Sequence, residues 1–367
     1  MKSGPQIFKS RKGPWGQLEY YYTHLEAPDS LVKSVPTPSS EIIWHLPGKT
    51  REEQRKLLES AGMLASQVDA IFDNSNPSDE GAALFPPPDV IAELSQEVRG
   101  RVYRTLRSFP ENPLYRTPLV MNTDDVHQWF SGGQLTSETL DLVDLLSYPI
   151  GNTLAFSDVP FLLQQSSMSE RMERNLIRSM TRTRSLILRL RIDRDSDLAQ
   201  IKEYWTAGFK NKDVLPLLNS VSQSPEIDYI DVIHLLPPIP RQHLNTFPSL
   251  AEGIDGSYPD SFWAAMNFFE YLPRSEFKDL RQVARYAEFA YEPANKPLRY
   301  GDLLVIYDPE RDLSIQAAVY LADYIVYTKD GRSVLRPFIL TRLPDLVSRF
   351  QGEIPFEVRA WRKRSRY

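Results

Sequence analysis

The stretch from Tyr258 to Thr328 constrains this fold more than any other part of the chain. It enters through Pro259 into Asp260-Ser-Phe-Trp-Ala-Ala-Met-Asn-Phe-Phe269, a short apolar run with a cap-forming start that predicts a helix. Three apolar runs follow, Tyr300–Ile306, Ser314–Leu321 and Ile325–Thr328, separated by a charged turn and by Ala322-Asp323. Short runs rich in Val, Ile and Tyr between turn signals predict antiparallel strands. Lys329-Asp-Gly331 is a hairpin signal, and Phe338–Leu340 supplies a last strand. A second helix is expected roughly over 276–290.

The rest of the chain reads differently. Residues 1–18 read as a loose basic arm and 19–240 as a mainly helical region of unknown function. Tyr20–Leu25 suits a short strand. Pro28, Pro36 and Pro38 punctuate a loop. Thr50-Arg-Glu-Glu53 is a capping box that opens a helix ending at Gly62. A second helix runs through Val68, Ile71 and Phe72. Residues 74–88 are a polar, then Pro-rich break. Ile91, Leu94, Val98, Val102, Tyr103 and Leu106 then recur at three-and-four spacing and predict one long helix from Asp89. Helices are also expected over Asp124–Phe130, Ser137–Leu146, Ser157–Leu163, Ser169–Met180, Asp195–Thr206 and Asp213–Val221. Leu186, Leu188, Leu190 and Ile192 alternate with Ile187, Arg189 and Arg191, which predicts a half-buried strand. Ile227–Leu236 reads as a strand or extended segment. Leu235-Leu-Pro-Pro-Ile-Pro240 and Thr246-Phe-Pro248 mark a boundary near 240–245. A domain over 245–350 and a basic tail over 351–367 complete an α+β chain.

Composition narrows the function. The net charge of −5 gives no whole-molecule bias towards nucleic acid. With no cysteine there are no disulfides, thiolate metal sites or thiol nucleophiles. No apolar run is long enough to span a membrane. The first 13 residues are basic without an apolar core, so no secretion signal is expected in them. Neither a glycine-rich phosphate loop nor a dinucleotide fingerprint occurs, and no cofactor is expected.

The helix at 260, the Gly301-Asp302 start of the first strand and the Ala317-Ala-Val-Tyr-Leu321 strand together resemble the core of the NlpC-type cell-wall peptidases, which have a papain-like fold. The resemblance covers roughly residues 245–345. It implies a Cys at the helix start, where the dipole favours thiolate, and a His on the facing strand to move the proton. Here Phe262 stands at the Cys position and Gln316 at the His position. A third polar residue, which orients the His in that family, falls around Thr328–Asp330. The scaffold is therefore expected with its chemistry removed: a catalytically inactive module for binding or support, with a peptide or cell-wall ligand and an exported or periplasmic location implied by the resemblance. The alternative is an active amidase or acyltransferase with relocated chemistry, on Ser261 or on a residue of the N-terminal region.

All five histidines, His24, His45, His127, His234 and His243, precede residue 244. A histidine base for Ser261 must therefore come from the N-terminal region. Asp260 and Ser261 equally suit helix capping. No histidine pair has metal-ligand spacing. Glu52-Glu53 and Asp124-Asp125 sit at helix starts and suit the dipole. Arg182, Arg184, Arg189, Arg191 and Arg194 cluster around one strand, readable as a solvated face or as a contact for an anionic polymer.

Overall fold

The computed structural model describes residues 5–35, 39–75, 83–116, 118–121, 123, 125–133, 135–151, 153–165, 169–193, 196–224, 226–253, 256–295, 297–350 and 355–364. Pro36, Pro38, Asp124, Arg194 and parts of the 74–88 break, the arm and the tail lie outside them. The architecture is α+β, with small antiparallel sheets. Two compact units are present: Met1–Leu31 with Arg182–Val347 and Ile354–Tyr367, and Val32–Thr181 with Ser348–Glu353.

The first unit contains the Tyr258–Thr328 stretch. The expected helix is α1 (Ser261–Met266), and α2 (Leu280–Ala290) follows it. Six strands form one antiparallel sheet: β1 (Tyr291–Pro293), β2 (Leu303–Asp308), β3 (Leu313–Ala322), β4 (Ile325–Lys329), β5 (Phe338–Arg342) and β6 (Glu357–Lys363), in the order β1-β6-β2-β3-β4-β5. The short apolar runs of the sequence are these strands. Alternation puts Ala317, Val319 and Leu321 of β3, and Ile325 and Tyr327 of β4, into one core with Phe262–Met266 of α1. Gly301 begins the sheet in a left-handed conformation, φ 90°. A Cβ there would lie 2.3 Å from the Phe269 ring, so this turn requires glycine.

Several expectations change here. The boundary near 240–245 is not a linker. Leu244 forms a parallel bridge with Phe338, the Asn245 N–H donates to the Phe338 carbonyl at 2.8 Å, and the Phe338 N–H donates to the Thr246 carbonyl at 2.9 Å. Proline is tolerated at a sheet edge, so Pro-rich composition does not separate an edge segment from a linker. The N-terminal arm is likewise ordered from residue 5: Phe8–Lys9 pairs with Gln17–Leu25, which pairs along its whole length with Thr183–Arg191. Residues expected in a separate helical region thus belong to the first unit. The basic tail is a correction too. Arg359–Lys363, expected in a basic tail outside the domain, lies in β6, between β1 and β2. The Ile227–Leu236 segment is a strand only over Tyr229–Asp231, followed by a turn of 3₁₀ helix. Lys329-Asp-Gly331 opens the longer connection from β4 to β5 instead of a tight hairpin.

The second unit carries the capping box as expected, with Glu53 N–H on Thr50 Oγ1 at 3.3 Å and Thr50 N–H on Glu53 at 2.8 Å. The single helix expected from Asp89 is two, Pro88–Glu93 and Gln96–Arg107. Ser95 Oγ accepts the Val98 N–H and restarts the helix; the spacing survives because both pieces face one core. A three-stranded sheet, Leu119–Met121, Thr153–Phe156 and Tyr148–Ile150, was not visible in the pattern. Its strands are too short for period two to register.

Candidate functional site

Asp260 caps α1. Its Oδ1 accepts the Phe262 and Trp263 N–H groups, both at 2.9 Å. Burial raises the Asp260 pKa; those two backbone bonds and the nearby Arg332 and Lys329 oppose the rise. The cap holds Ser261 against β3. Among the described residues the Ser261 hydroxyl has one partner, the Ala317 N–H, which it accepts at 3.1 Å.

That N–H is free for a reason in the β3–β4 ladder. The register Val319↔Tyr327 would continue to Ala318↔Thr328 and then Ala317↔Lys329, but the pairing stops before both. Side chains close the gap. Ser261 Oγ takes the Ala317 N–H, and Gln316 Nε2 donates to the Lys329 carbonyl at 2.9 Å and to Thr328 Oγ1 at 2.9 Å. Thr328 Oγ1 in turn donates to the Ala317 carbonyl at 2.6 Å. Buried backbone groups without a partner are costly, so each of these side chains repairs one.

Lys329 and Asp330 lie beside this clasp. The Lys329 ammonium, fully buried, donates to the carbonyls of Gly331 at 2.7 Å and Ser333 at 2.9 Å. Burial lowers its pKa to about 7, against the opposing pull of Asp330 and Asp260. Asp330 pairs with Arg336 at 3.4 Å and accepts from Thr183 Oγ1 at 3.4 Å. Sequence reasoning missed Lys329, although its parity with Ile325 and Tyr327 in β4 puts it on their face.

Asp260, Ser261, Phe262, Gln316, Thr328 and Asp330 are thus in one region, but not as a cleft. They are 6, 3, 5, 8, 0 and 4% exposed, too little for a substrate to reach. Phe262 is packed in the core with Trp263 and Met266. The helix-start side chain that reaches the strand is Ser261, one residue before the expected position. Gln316 shares the parity of Ala318 and Tyr320, away from the α1 face of the sheet, so Phe262 and Gln316 do not confront each other. A shallow depression lies elsewhere in this unit, lined by Lys12, Gly16, Asp193, Ser196 and Gln200.

Among the described residues no histidine bonds the Ser261 hydroxyl, whose one partner is the Ala317 N–H. His243, at the end of Pro238–His243, packs edge-on to Trp263 at 5.4 Å and Phe338 at 4.9 Å. Its Nδ1 lies 2.9 Å from the Ile239 carbonyl and its Nε2 3.9 Å from Glu252. Burial lowers its pKa, but Glu252 and the Ile239 carbonyl outweigh burial and raise it overall. His24 is driven to about 4 by burial and by Arg182 and Arg184. His45 is tied through its backbone to Asn112, and His127 faces Asp141 at 3.3 Å. No group of His, Cys, Asp and Glu among the described residues could hold a metal ion.

The arginine cluster is neutralised locally. Arg182 pairs with Glu26, Arg184 with Asp345, Arg189 with Glu19 and Arg191 with Asp193. Arg184 and Arg189 also stack on Tyr22 and Tyr229, at 4.3 and 4.1 Å. In the second unit a buried set went unread: Tyr103 donates to both Asp158 oxygens at 2.6 and 2.7 Å, with Arg99 Nε at 3.6 Å. Burial raises Asp158 to about 6, opposed by the Tyr103 bond and the Arg99 charge. Arg99 fixes the set by donating to the Leu145 and Ile91 carbonyls. No described helix is long and apolar enough to cross a membrane. Comparison with family models, curated proteins and solved structures returned no match.

Proposed function

We propose that this chain is a catalytically inactive relative of the NlpC-type, papain-like peptidases, serving as a binding or structural module. The single observation that carries this reading is the closed clasp. Ser261, Gln316 and Thr328, the polar groups nearest the expected chemistry, each satisfy a backbone group of the split β3–β4 ladder. A nucleophile needs a free hydroxyl, a base within reach and access for substrate. Ser261 is 3% exposed and its one partner is an N–H, which leaves the relocated amidase without support. Helix α1 against an antiparallel sheet supports the papain-like relation, and the peptide or cell-wall ligand class rests on the sequence resemblance alone. Such a ligand would bind outside the sealed clasp.

The test is incubation of the purified chain with peptide amides, esters and cell-wall stem peptides. No turnover above buffer is expected. Turnover that survives repurification overturns the reading.

A further inference from the structure

Two loops of the first unit hold apolar side chains out in solvent by design of the backbone. In the first, Ala207, Gly208 and Phe209 are consecutive left-handed residues, with φ of 50, 62 and 69°. Left-handed backbone is costly for Ala and Phe. The result of that cost is a Phe209 side chain that is 74% exposed. The loop is fastened at its neck: Asn211, 3% exposed, donates from Nδ2 to the Trp205 and Leu235 carbonyls at 3.0 and 2.8 Å. The second loop presents Tyr271 and Leu272, 59 and 79% exposed. It too is tied by a buried asparagine, Asn267, which accepts from the Arg274 N–H at 2.7 Å and donates to its carbonyl at 3.3 Å.

The loops adjoin. The Tyr271 hydroxyl donates to Asp213 at 3.3 Å, and the Lys210 ammonium lies 6.0 Å from the Phe269 ring centroid. Charge on this edge is biased. Glu270 is paired with Lys363 and Glu276 with Arg274, while Asp213 accepts from the neutral Tyr271 hydroxyl and keeps its charge, which leaves Lys210 and Lys212 against one carboxylate. The ammonium of Lys210 donates to the Lys363 carbonyl, and Lys212 is exposed; among the described residues neither forms an ion pair. Loop tips carrying Phe, Tyr and Leu beside the exposed Lys212 match the chemistry of a bilayer interface: apolar groups enter the acyl boundary and the lysine meets headgroups.

We propose that the 207–212 and 271–272 loops form an attachment site for an anionic phospholipid surface. This is independent of the clasp and of whether the chain is a peptidase relative. The test is sedimentation of the full chain with phosphatidylcholine vesicles and with vesicles containing phosphatidylserine. Stronger binding to the anionic vesicles is expected, weakened by salt. The variant Phe209→Ser/Leu272→Ser should weaken it by about tenfold or more, because both side chains leave the acyl boundary. Leu313→Ser, at an exposed site on β3, should bind as the parent does, and circular dichroism should show all variants folded. Binding no stronger to the anionic vesicles, or unchanged in the double variant, overturns the proposal. So does self-association of the chain that is lost in the double variant, which would assign the edge to a second copy.

Discussion

Replacing Gln316 by Leu and Thr328 by Val, singly and together, tests whether the clasp holds the sheet. Gln316→Leu keeps the volume and removes two donors, one to the Lys329 carbonyl and one to Thr328 Oγ1, both at 2.9 Å. The site is buried, so water does not substitute freely, and the loss should be about 2–3 kcal/mol. Thr328→Val is nearly isosteric and removes the 2.6 Å bond to the Ala317 carbonyl along with the acceptor for Gln316. It should cost about 1–3 kcal/mol. The two losses share one bond, so the double variant should be less destabilised than their sum, by about 1 kcal/mol. Denaturant unfolding of the four proteins measures this, with slopes compared to check that the unfolded states match. Singles within about 0.5 kcal/mol of the parent, the range of ordinary surface changes, would refute the clasp.

Three further outcomes follow from buried polar groups. Tyr327 is fully buried and its hydroxyl has no hydrogen-bond partner among the described residues, so Tyr327→Phe should stabilise the chain by about 1 kcal/mol in the same assay; destabilisation contradicts this. Lys329 has its pKa lowered from 10.5 to about 7, so the unfolded chain holds the extra proton between those values and stability should rise with pH across that window. Lys329→Met should flatten that rise, and an unchanged slope would show that Lys329 is not its source. Asp158, raised from 3.8 to about 6, contributes stability that is complete below the lower value and lost as pH climbs through the upper one. Carbon NMR of its carboxyl should show a midpoint well above the ordinary carboxylate range, and a midpoint at or below that range contradicts the burial argument.

Local signals were legible where one segment contains its own cause. The Thr50 capping box, the Asp260 cap and the alternation of β3 and β4 all came through, because each is a relation between residues close in sequence. The contacts that join Ser261, Gln316 and Thr328 were not legible in this way. Which N–H of β3 loses its partner depends on where the β3–β4 pairing stops, and only the folded register shows that Ser261 meets Ala317. The tail misled for a related reason. Arg359, Arg362 and Lys363 read as part of a basic tail beyond the domain, yet β6 is interior to its sheet. Each cation is answered from elsewhere: Arg359 lies over the Tyr307 ring, Arg362 holds Asp302 at 2.8 and 2.7 Å, and Lys363 holds Glu270 at 2.8 Å. Long-range partners of this kind leave no trace in local composition. The same holds for 240–248, where proline suggested a linker and the backbone joins a sheet edge.

Ser261→Ala tests most directly whether the site region serves the fold or a reaction. The variant leaves the Ala317 N–H without its partner. Amide hydrogen exchange at Ala317, read alongside unfolding free energy and hydrolysis of peptide amides and esters, separates the two roles. The account predicts faster exchange at Ala317, a loss of about 1–3 kcal/mol, and no hydrolysis in either parent or variant. Unchanged exchange and stability, together with a hydrolytic activity present in the parent and absent in Ser261→Ala, would contradict it.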